Sequence, residues 1–195
     1  KEQEKPVPVP VECTGRPYTF KERKFTASEL EYWQQYGITP EILEQYKVCS
    51  VVQFQSENAE GNPFSYTSTK EEPIYGYKSK RFIKLYRPFS RTRFLYGGNI
   101  GENYCFGLEQ LPSKGDTLFI TGGEKDVLSL AAKGFHAICF NSETVTVPPN
   151  IIYKLTFRFK HIILLYDMDA TGTESAKKHE KQLCEYGVKR LLLPL

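Results

Sequence analysis

Acidic residues follow two apolar runs in the second half of the chain. The first run is followed by residues 122–126 (GGEKD) and the second by residues 167–169 (DMD). Alternate residues of an extended segment point in the same direction, so Asp167 and Asp169 can converge on one point. Two converging carboxylates repel each other unless a cation lies between them, and Mg²⁺ is typically held by one or two carboxylates together with substrate phosphates. The pattern indicates a divalent-metal site, to which Asp126 adds a carboxylate from the first strand end.

Each part of this pattern also has a purely structural interpretation. Asp169 can cap the helix that follows it while Asp167 is a solvated turn residue. The pair Gly122 and Gly123 before a helix can bind phosphate through backbone N–H groups, yet a glycine pair in such a turn usually only makes the turn. It matches neither the Walker pattern nor G-x-G-x-x-G. Spacing alone therefore leaves metal binding and helix capping both open.

The elements that position these acids alternate between strand and helix. Short apolar runs bounded by turn residues are typical of buried parallel strands, and the segments between them have helical spacing. The expected strands are residues 117–121, 137–140, 162–166 and 188–193, and the expected helices are residues 124–133, 150–159 and 171–186. This order predicts an α/β fold with a doubly wound parallel sheet, whose site lies beyond the carboxyl ends of the strands.

The first half of the chain has a different texture. Residues 1–20 are expected to be a proline-rich linker, because Pro6, Pro8 and Pro10 alternate with valine. A capping box at residues 26–29 (TASE) opens a short helix, and a second short helix begins after Thr39. Short aromatic and β-branched runs then predict an antiparallel sheet. We therefore expect a small α+β lobe at residues 21–112 and a separate α/β domain at residues 113–195.

Composition excludes several classes of protein. The chain has 195 residues, 26 Lys+Arg and 23 Asp+Glu, which give a net charge of +3. No apolar run approaches the roughly 20 residues of a membrane-spanning helix, and the charged start is not a secretory signal. The five cysteines are scattered and form no C-x-x-C pair, which argues against a zinc site or a disulfide framework and suits a reducing cytoplasm.

Because Met168 is the only methionine and the sequence stops after an expected strand, we expect a fragment of a longer protein, truncated at its C-terminus.

The acidic segments, in this order, resemble the Toprim domain, the metal-binding module of bacterial DNA primases, phage primase-helicases, topoisomerases and some nucleases. The matching segments are residues 118–130 (LFITGGEKDVLSL) and residues 163–172 (ILLYDMDATG). Their separation, the intervening strand and Gly172 after the acidic pair also agree with the family. The resemblance covers residues 114–195 and implies a Toprim-type, Rossmann-like parallel sheet.

The primase branch fits best, because that family places a small α+β lobe directly before Toprim and a zinc-binding module before the lobe. Residues 104–108 (YCFGL) resemble the closing segment of that lobe. The resemblance implies a nucleotidyltransferase that makes RNA primers on a DNA template for replication. It further implies Asp167 and Asp169 as ligands of one or two Mg²⁺ or Mn²⁺ ions, with Asp126 and Glu124 as catalytic residues. The implied partners are a single-stranded DNA template, nucleoside triphosphates, the RNA primer, and a helicase or zinc-binding module in the full-length protein.

One position departs from the family pattern. The glutamate to which the family's acid/base or metal-binding work is commonly assigned falls on Gly122, which has no side chain. Glu124 lies two residues further on and Glu143 follows the second expected strand, so both are able to reach the crevice. The sequence does not choose between them. The resemblance also places a third acidic motif beyond Leu195.

A basic segment, residues 78–93, precedes the α/β half. It has no acid and interleaves aromatic residues with seven cations, which are Lys78, Lys80, Arg81, Lys84, Arg87, Arg91 and Arg93. Basic side chains bind phosphate, and aromatic faces stack on unpaired bases at about 1–3 kcal/mol each. The alternative is a solvated, charge-guarded sheet whose aromatic residues form the core. The excess of cations favours nucleic-acid binding.

Three functions follow from these patterns. The leading hypothesis is the metal-dependent catalytic core of a DNA primase. The second is a catalytically altered Toprim module that binds nucleic acid in a replication or mobile-element protein, and Gly122 is the feature that supports it. A Toprim nuclease or topoisomerase is disfavoured, because the preceding lobe resembles that of a primase.

Overall fold

The computed structural model describes residues 15–58, 60–101 and 104–192, and the chain divides into two compact units. The first unit contains the chain up to Arg23 together with Val51–Ile100. The second unit contains Lys24–Ser50 and the chain from Gly101 onwards. These units differ from the predicted division between residues 112 and 113, because residues 24–50 group with the α/β half.

An antiparallel sheet of six strands dominates the first unit, as the short aromatic runs predict. Its order is β1-β2-β4-β5-β6, and β3 pairs with β2. The strands are β1 (Tyr18–Arg23), β2 (Val48–Glu57), β3 (Pro63–Thr67), β4 (Tyr75–Lys78), β5 (Phe82–Tyr86) and β6 (Phe94–Gly98). The first strand begins inside the predicted linker, at Tyr18, and residues 1–14 of that linker lie outside the described residues.

Two short helices lie in the segment between β1 and β2. Helix α1 (Ala27–Gln34) has the predicted capping box, in which the Thr26 side chain accepts from the Glu29 backbone N–H and Glu29 accepts from the Thr26 backbone. Helix α2 (Pro40–Gln45) has proline at its start. Trp33 in α1 is fully buried and anchors the helix in the core.

A four-stranded parallel sheet forms the second unit and confirms the predicted α/β fold. Its order is β10-β9-β7-β8, and every pair is parallel. The elements are β7 (Gly115–Thr121), α3 (Glu124–Ala132), β8 (His136–Cys139), α4 (Pro149–Thr156), β9 (Phe159–Leu165), α5 (Ala170–Gln182) and β10 (Lys189–Arg190). Among the described residues, no helix is both long and apolar enough to cross a membrane.

The order of the parallel strands creates a switch point between β7 and β9. After β7 the chain crosses to β8 on one side, and it then returns past β7 to β9 on the other side. In open α/β sheets, ligands bind outside the carboxyl ends of the strands where the order reverses in this way. Leu118, Ile120 and Leu164 are fully buried on these two strands and hold the switch point in a rigid core.

Candidate metal centre and nucleic-acid surface

The two acidic segments leave the sheet side by side at the switch point. In the parallel register, Thr121 at the end of β7 lies beside Leu165 at the end of β9. The residues that follow are therefore neighbours, although about 40 positions separate them in sequence. On the other side Thr121 lies beside Cys139, the last residue of β8. The loop after β8 reaches the same edge of the sheet and brings Glu143 with it.

Four carboxylates lie at this edge, namely Asp126, Glu143, Asp167 and Asp169, and the buried Glu124 is close enough for its charge to act on Asp126. Burial raises the pKa of Asp126, and the charge of Asp167 raises it further. Burial also raises the pKa of Glu143, together with the charges of Asp167 and Asp169, while a hydrogen bond from the Asp167 backbone acts in the opposite direction. Like charges at close range disfavour ionisation, so this edge of the sheet favours a cation.

The Glu143 carboxylate lies against two glycines, Gly122 in the turn after β7 and Gly172 in the first turn of α5. A Cβ atom added at Gly122 would lie 3.2 Å from Glu143 Oε2, and one added at Gly172 would lie 3.0 Å from the same oxygen. Glu143 Oε2 is buried and has no hydrogen-bond partner among the described residues. The carboxylate is thus placed where a side chain at position 122 would begin.

The predicted metal ligands Asp167 and Asp169 are both exposed at the end of β9. Asp169 is also the N-cap of α5, because the backbone N–H of Gly172 donates to its Oδ1 over 2.7 Å. The capping interpretation is therefore correct for Asp169. It does not exclude the metal interpretation, since a carboxylate has two oxygens and the cap uses one.

The predicted catalytic residue Glu124 has a structural partner. It is the first residue of α3 and only 2% exposed. The hydroxyl of Tyr104 donates to its Oε1 over 2.7 Å in a buried hydrogen bond. Of the two glutamates able to reach the crevice, Glu143 is the one whose carboxylate lies against Gly122.

The donor set suits a hard divalent cation. Four carboxylates offer oxygen ligands, and one of their oxygens is buried without a partner among the described residues. As they stand, no three His, Cys, Asp or Glu side chains in the described part of the chain are close enough together to hold a metal ion. Binding therefore requires side-chain rotations that close the carboxylates on the ion. Glu143 had no motif to identify it, and its only sequence signal was its place after a strand end.

The basic segment lies in the first unit. Its seven cations differ in how much they are exposed and in which groups they contact. Lys84 is only 2% exposed, and its Nζ lies 4.7 Å from the centre of the Phe94 ring. Lys78 pairs with Glu22 at 2.7 Å, and Arg87 lies 3.5 Å from Glu72. Lys80, Arg81, Arg91 and Arg93 are exposed, and Arg93 also donates from Nη2 to the Tyr86 hydroxyl over 3.4 Å. Three aromatic side chains are exposed in the same part of the chain, namely Phe89, Phe94 and Tyr96.

Comparison with known proteins finds a sequence match in the C-terminal part of the chain. The sequence of residues 119–195 matches the family described as Toprim-like. No curated protein sequence matches the chain.

Solved structures of primases share the fold of the chain at low sequence identity. The DnaG primase catalytic domain bound to ssDNA has a TM-score of 0.63 and 16% identity, over 86% of this chain and 66% of that one. The primase fragment of the bacteriophage T7 primase-helicase protein has a TM-score of 0.58 and 15% identity, over 96% of this chain and 74% of that one. The E. coli primase catalytic core has a TM-score of 0.61 and 16% identity, over 86% of this chain and 66% of that one.

This chain spans slightly less than two thirds of two of these three structures, at 66% of each. At such identities the likeness to solved structures establishes the fold alone, and the sequence match is confined to residues 119–195. The chain therefore has the fold of primase catalytic cores, and its residues 119–195 are similar in sequence to the Toprim-like family.

Proposed function

We propose that this chain is the catalytic core of a DNA primase, a nucleotidyltransferase that makes RNA primers on single-stranded DNA with Mg²⁺ or Mn²⁺. The gathering of four carboxylates at the switch point of a Toprim-like domain carries this proposal. A related fold has been solved as a DnaG catalytic domain bound to ssDNA, which supports single-stranded DNA as the template. Nucleoside triphosphates and an RNA primer follow from the proposed reaction, and a helicase or zinc-binding module is the proposed partner.

In this proposal the carboxylates at the strand ends hold the cation and the chain positions the phosphates. Asp167 and Asp169 are exposed and accessible to a solvated ion, while Asp126 and Glu143 are partly buried and fix the inner side of the site. A bound divalent ion would orient the nucleotide and neutralise charge as the phosphodiester bond forms. The N-cap bond from Gly172 to Asp169 fixes one oxygen of that carboxylate and orients the group.

The Asp126→Asn variant is expected to lose about 100-fold in template-dependent primer synthesis. The variant keeps the size of the side chain but removes a charge, and the metal's stabilisation of transition-state charge is worth several kcal/mol, with about 1.4 kcal/mol per tenfold change in rate. The measurement is incorporation of labelled ribonucleotides on a single-stranded template with Mg²⁺ or Mn²⁺.

A matched control is Asp116→Asn, which should leave synthesis unchanged. Asp116 is exposed at the start of β7, the opposite end of that strand from the candidate site, and pairs with Lys160 at 2.6 Å. A folded wild-type chain that makes no primer with either metal would contradict the proposed function, and so would an Asp126→Asn variant as active as the wild type.

A second candidate function is a Toprim module that binds nucleic acid without catalysis. Two observations favour it: Gly122 stands where the family has a glutamate, and no three acidic, histidine or cysteine side chains of the described residues hold a metal as they stand. The exposed cations and aromatic residues of the basic segment supply a surface for single strands. Binding of single-stranded DNA by a chain that makes no primer would favour this candidate.

Removing the four exposed cations of the basic segment should weaken binding of single-stranded DNA by at least about tenfold at low salt. The quadruple alanine variant replaces Lys80, Arg81, Arg91 and Arg93. If each contacts a phosphate, the slope of log affinity against log salt should fall by up to about 3, at about 0.7 per contact. The measurement is fluorescence anisotropy of a labelled oligonucleotide at several salt concentrations.

The control for this variant removes the same charge elsewhere. It replaces four exposed lysines outside the segment with alanine, namely Lys70, Lys177, Lys178 and Lys181. Both variants change the net charge from +3 to −1, because four positive charges are removed (3 − 4 = −1). Equal losses of affinity in the two variants would mean that net charge, rather than the basic segment, drives the binding.

A further inference from the structure

We propose that Glu143 supplies the carboxylate that this Toprim-like domain lacks at position 122 and that it binds the divalent cation from there. This inference rests on the proposed function, because it assigns a ligand to the site proposed above. The residue comes from the loop after β8, whereas the family pattern places its glutamate in the turn after β7.

The first argument is the position of the carboxylate. A Cβ atom at residue 122 would lie 3.2 Å from Glu143 Oε2, 3.6 Å from its Cδ and 4.0 Å from its Cβ. The Glu143 side chain therefore lies directly against the point where a side chain from position 122 would begin. A contact of 3.2 Å is tighter than ordinary van der Waals contact, so the two positions cannot both carry an undisturbed side chain there.

A second glycine, Gly172 in the first turn of α5, lies next to the same carboxylate oxygen. A Cβ atom at Gly172 would lie 3.0 Å from Glu143 Oε2. Gly172 is required first by the Asp167 carbonyl oxygen, which would lie 2.3 Å from such a Cβ atom, and together with Gly122 it leaves one oxygen of Glu143 bordered by two positions without side chains.

The third argument is the surroundings of that oxygen. Oε2 is buried and has no hydrogen-bond partner among the described residues, while the backbone of Asp167 hydrogen-bonds to the carboxylate. The groups that act on Glu143 are the carboxylates of Asp126, Asp167 and Asp169. A buried anionic oxygen without a partner is costly, and a divalent cation shared with the neighbouring carboxylates would satisfy it.

The test relocates the carboxylate between the two positions and measures Mn²⁺ binding by calorimetry. We expect Glu143→Ala to bind Mn²⁺ at least about tenfold more weakly than the wild type. The double variant Gly122→Glu/Glu143→Ala should recover to within about threefold of the wild type. Gly122→Glu alone should bind no tighter than the wild type and should melt at a lower temperature without metal, because the two side chains compete for one space.

Two further variants keep the test decisive if Glu143→Ala does not fold. Glu143→Gln retains the size of the side chain and its hydrogen bond from Asp167, and should lose Mn²⁺ binding through its charge alone. Asp116→Asn, which removes a carboxylate at the opposite end of β7, should bind Mn²⁺ as the wild type does. Wild-type Mn²⁺ binding by Glu143→Gln would overturn the proposal, and so would a double variant that binds no better than Glu143→Ala.

The binding measurement also separates this inference from the proposed function. If Mn²⁺ binding depends on Glu143 but the wild-type chain makes no primer, the inference stands and the primase proposal fails. If the wild type makes primer while Glu143→Gln binds Mn²⁺ and makes primer equally well, the inference fails and the primase proposal stands.

Discussion

The Asp167→Asn/Asp169→Asn double variant is expected to lose saturable binding of Mg²⁺ and Mn²⁺, with an affinity at least about 100-fold below that of the wild type. Replacing residues that merely support metal ligands already costs about 10–100-fold in affinity, and these two are proposed as ligands themselves. The fold should survive, because asparagine caps helices about as well as aspartate and can keep the bond from the Gly172 N–H to residue 169. Isothermal titration of each metal into the folded chain measures the effect.

The control for this double variant is again Asp116→Asn, which removes a carboxylate far along β7 from the proposed site. It should bind both metals with wild-type affinity. Unchanged affinity in the double variant would show that the acidic pair serves only as a turn and a helix cap. In that case the nucleic-acid-binding function would become the better account of the chain.

The parallel sheet could be predicted because burial on both faces leaves a strong signal in sequence. Strands such as β7 and β9 carry runs of apolar residues, and their ends are marked by glycine or aspartate. Strand β1 could not be predicted, since it lies next to a proline-rich stretch and its place is set by pairing with β2, more than 20 residues further along. The grouping of α1 and α2 with the second unit is also a long-range effect.

The acidic residues of the candidate site could be predicted where the ends of strands could be predicted from the sequence. Asp167 and Asp169 follow β9 closely and Asp126 lies in the first turn of α3 after β7, so the pairing of β7 with β9 brings them to the same edge of the sheet. Glu143 lies in an irregular loop between β8 and α4, where no periodicity fixes the direction of a side chain. Its position becomes apparent only when the space above Gly122 and Gly172 is measured.

The contacts of the cations in the basic segment could not be predicted from the number and spacing of its charges. Charge spacing does not reveal that Lys84 is buried against aromatic rings. Nor does it reveal that the partner of Lys78 is Glu22, which lies 56 residues away. The surface that remains for nucleic acid is accordingly smaller than the segment, and its exposed aromatic residues matter as much as its cations.

The Gly172→Ala variant is expected to destabilise the second unit and to weaken metal binding, although helix propensity predicts the reverse. Alanine in a helix is favoured over glycine by about 1 kcal/mol. Here the added Cβ would lie 2.3 Å from the Asp167 carbonyl oxygen and 3.0 Å from Glu143 Oε2. The first of these atoms is backbone and cannot move away by side-chain rotation, so the turn that carries Asp167 and Asp169 must shift.

Steric overpacking of this kind costs about 1–3 kcal/mol, and a backbone obstacle places the effect at the upper end. A cost of about 3 kcal/mol less the gain of about 1 kcal/mol in helix propensity leaves a fall of about 2 kcal/mol in the free energy of unfolding. The melting temperature should fall by about 4–8 °C for a chain of this size. Thr171→Ala is the matched control, because Thr171 is exposed in the same helical turn and its replacement should leave stability unchanged or slightly higher. Thermal unfolding with and without Mn²⁺ tests both effects. A Gly172→Ala chain as stable as the wild type would mean that the turn yields without cost, and the two glycines would then not define the place of Glu143.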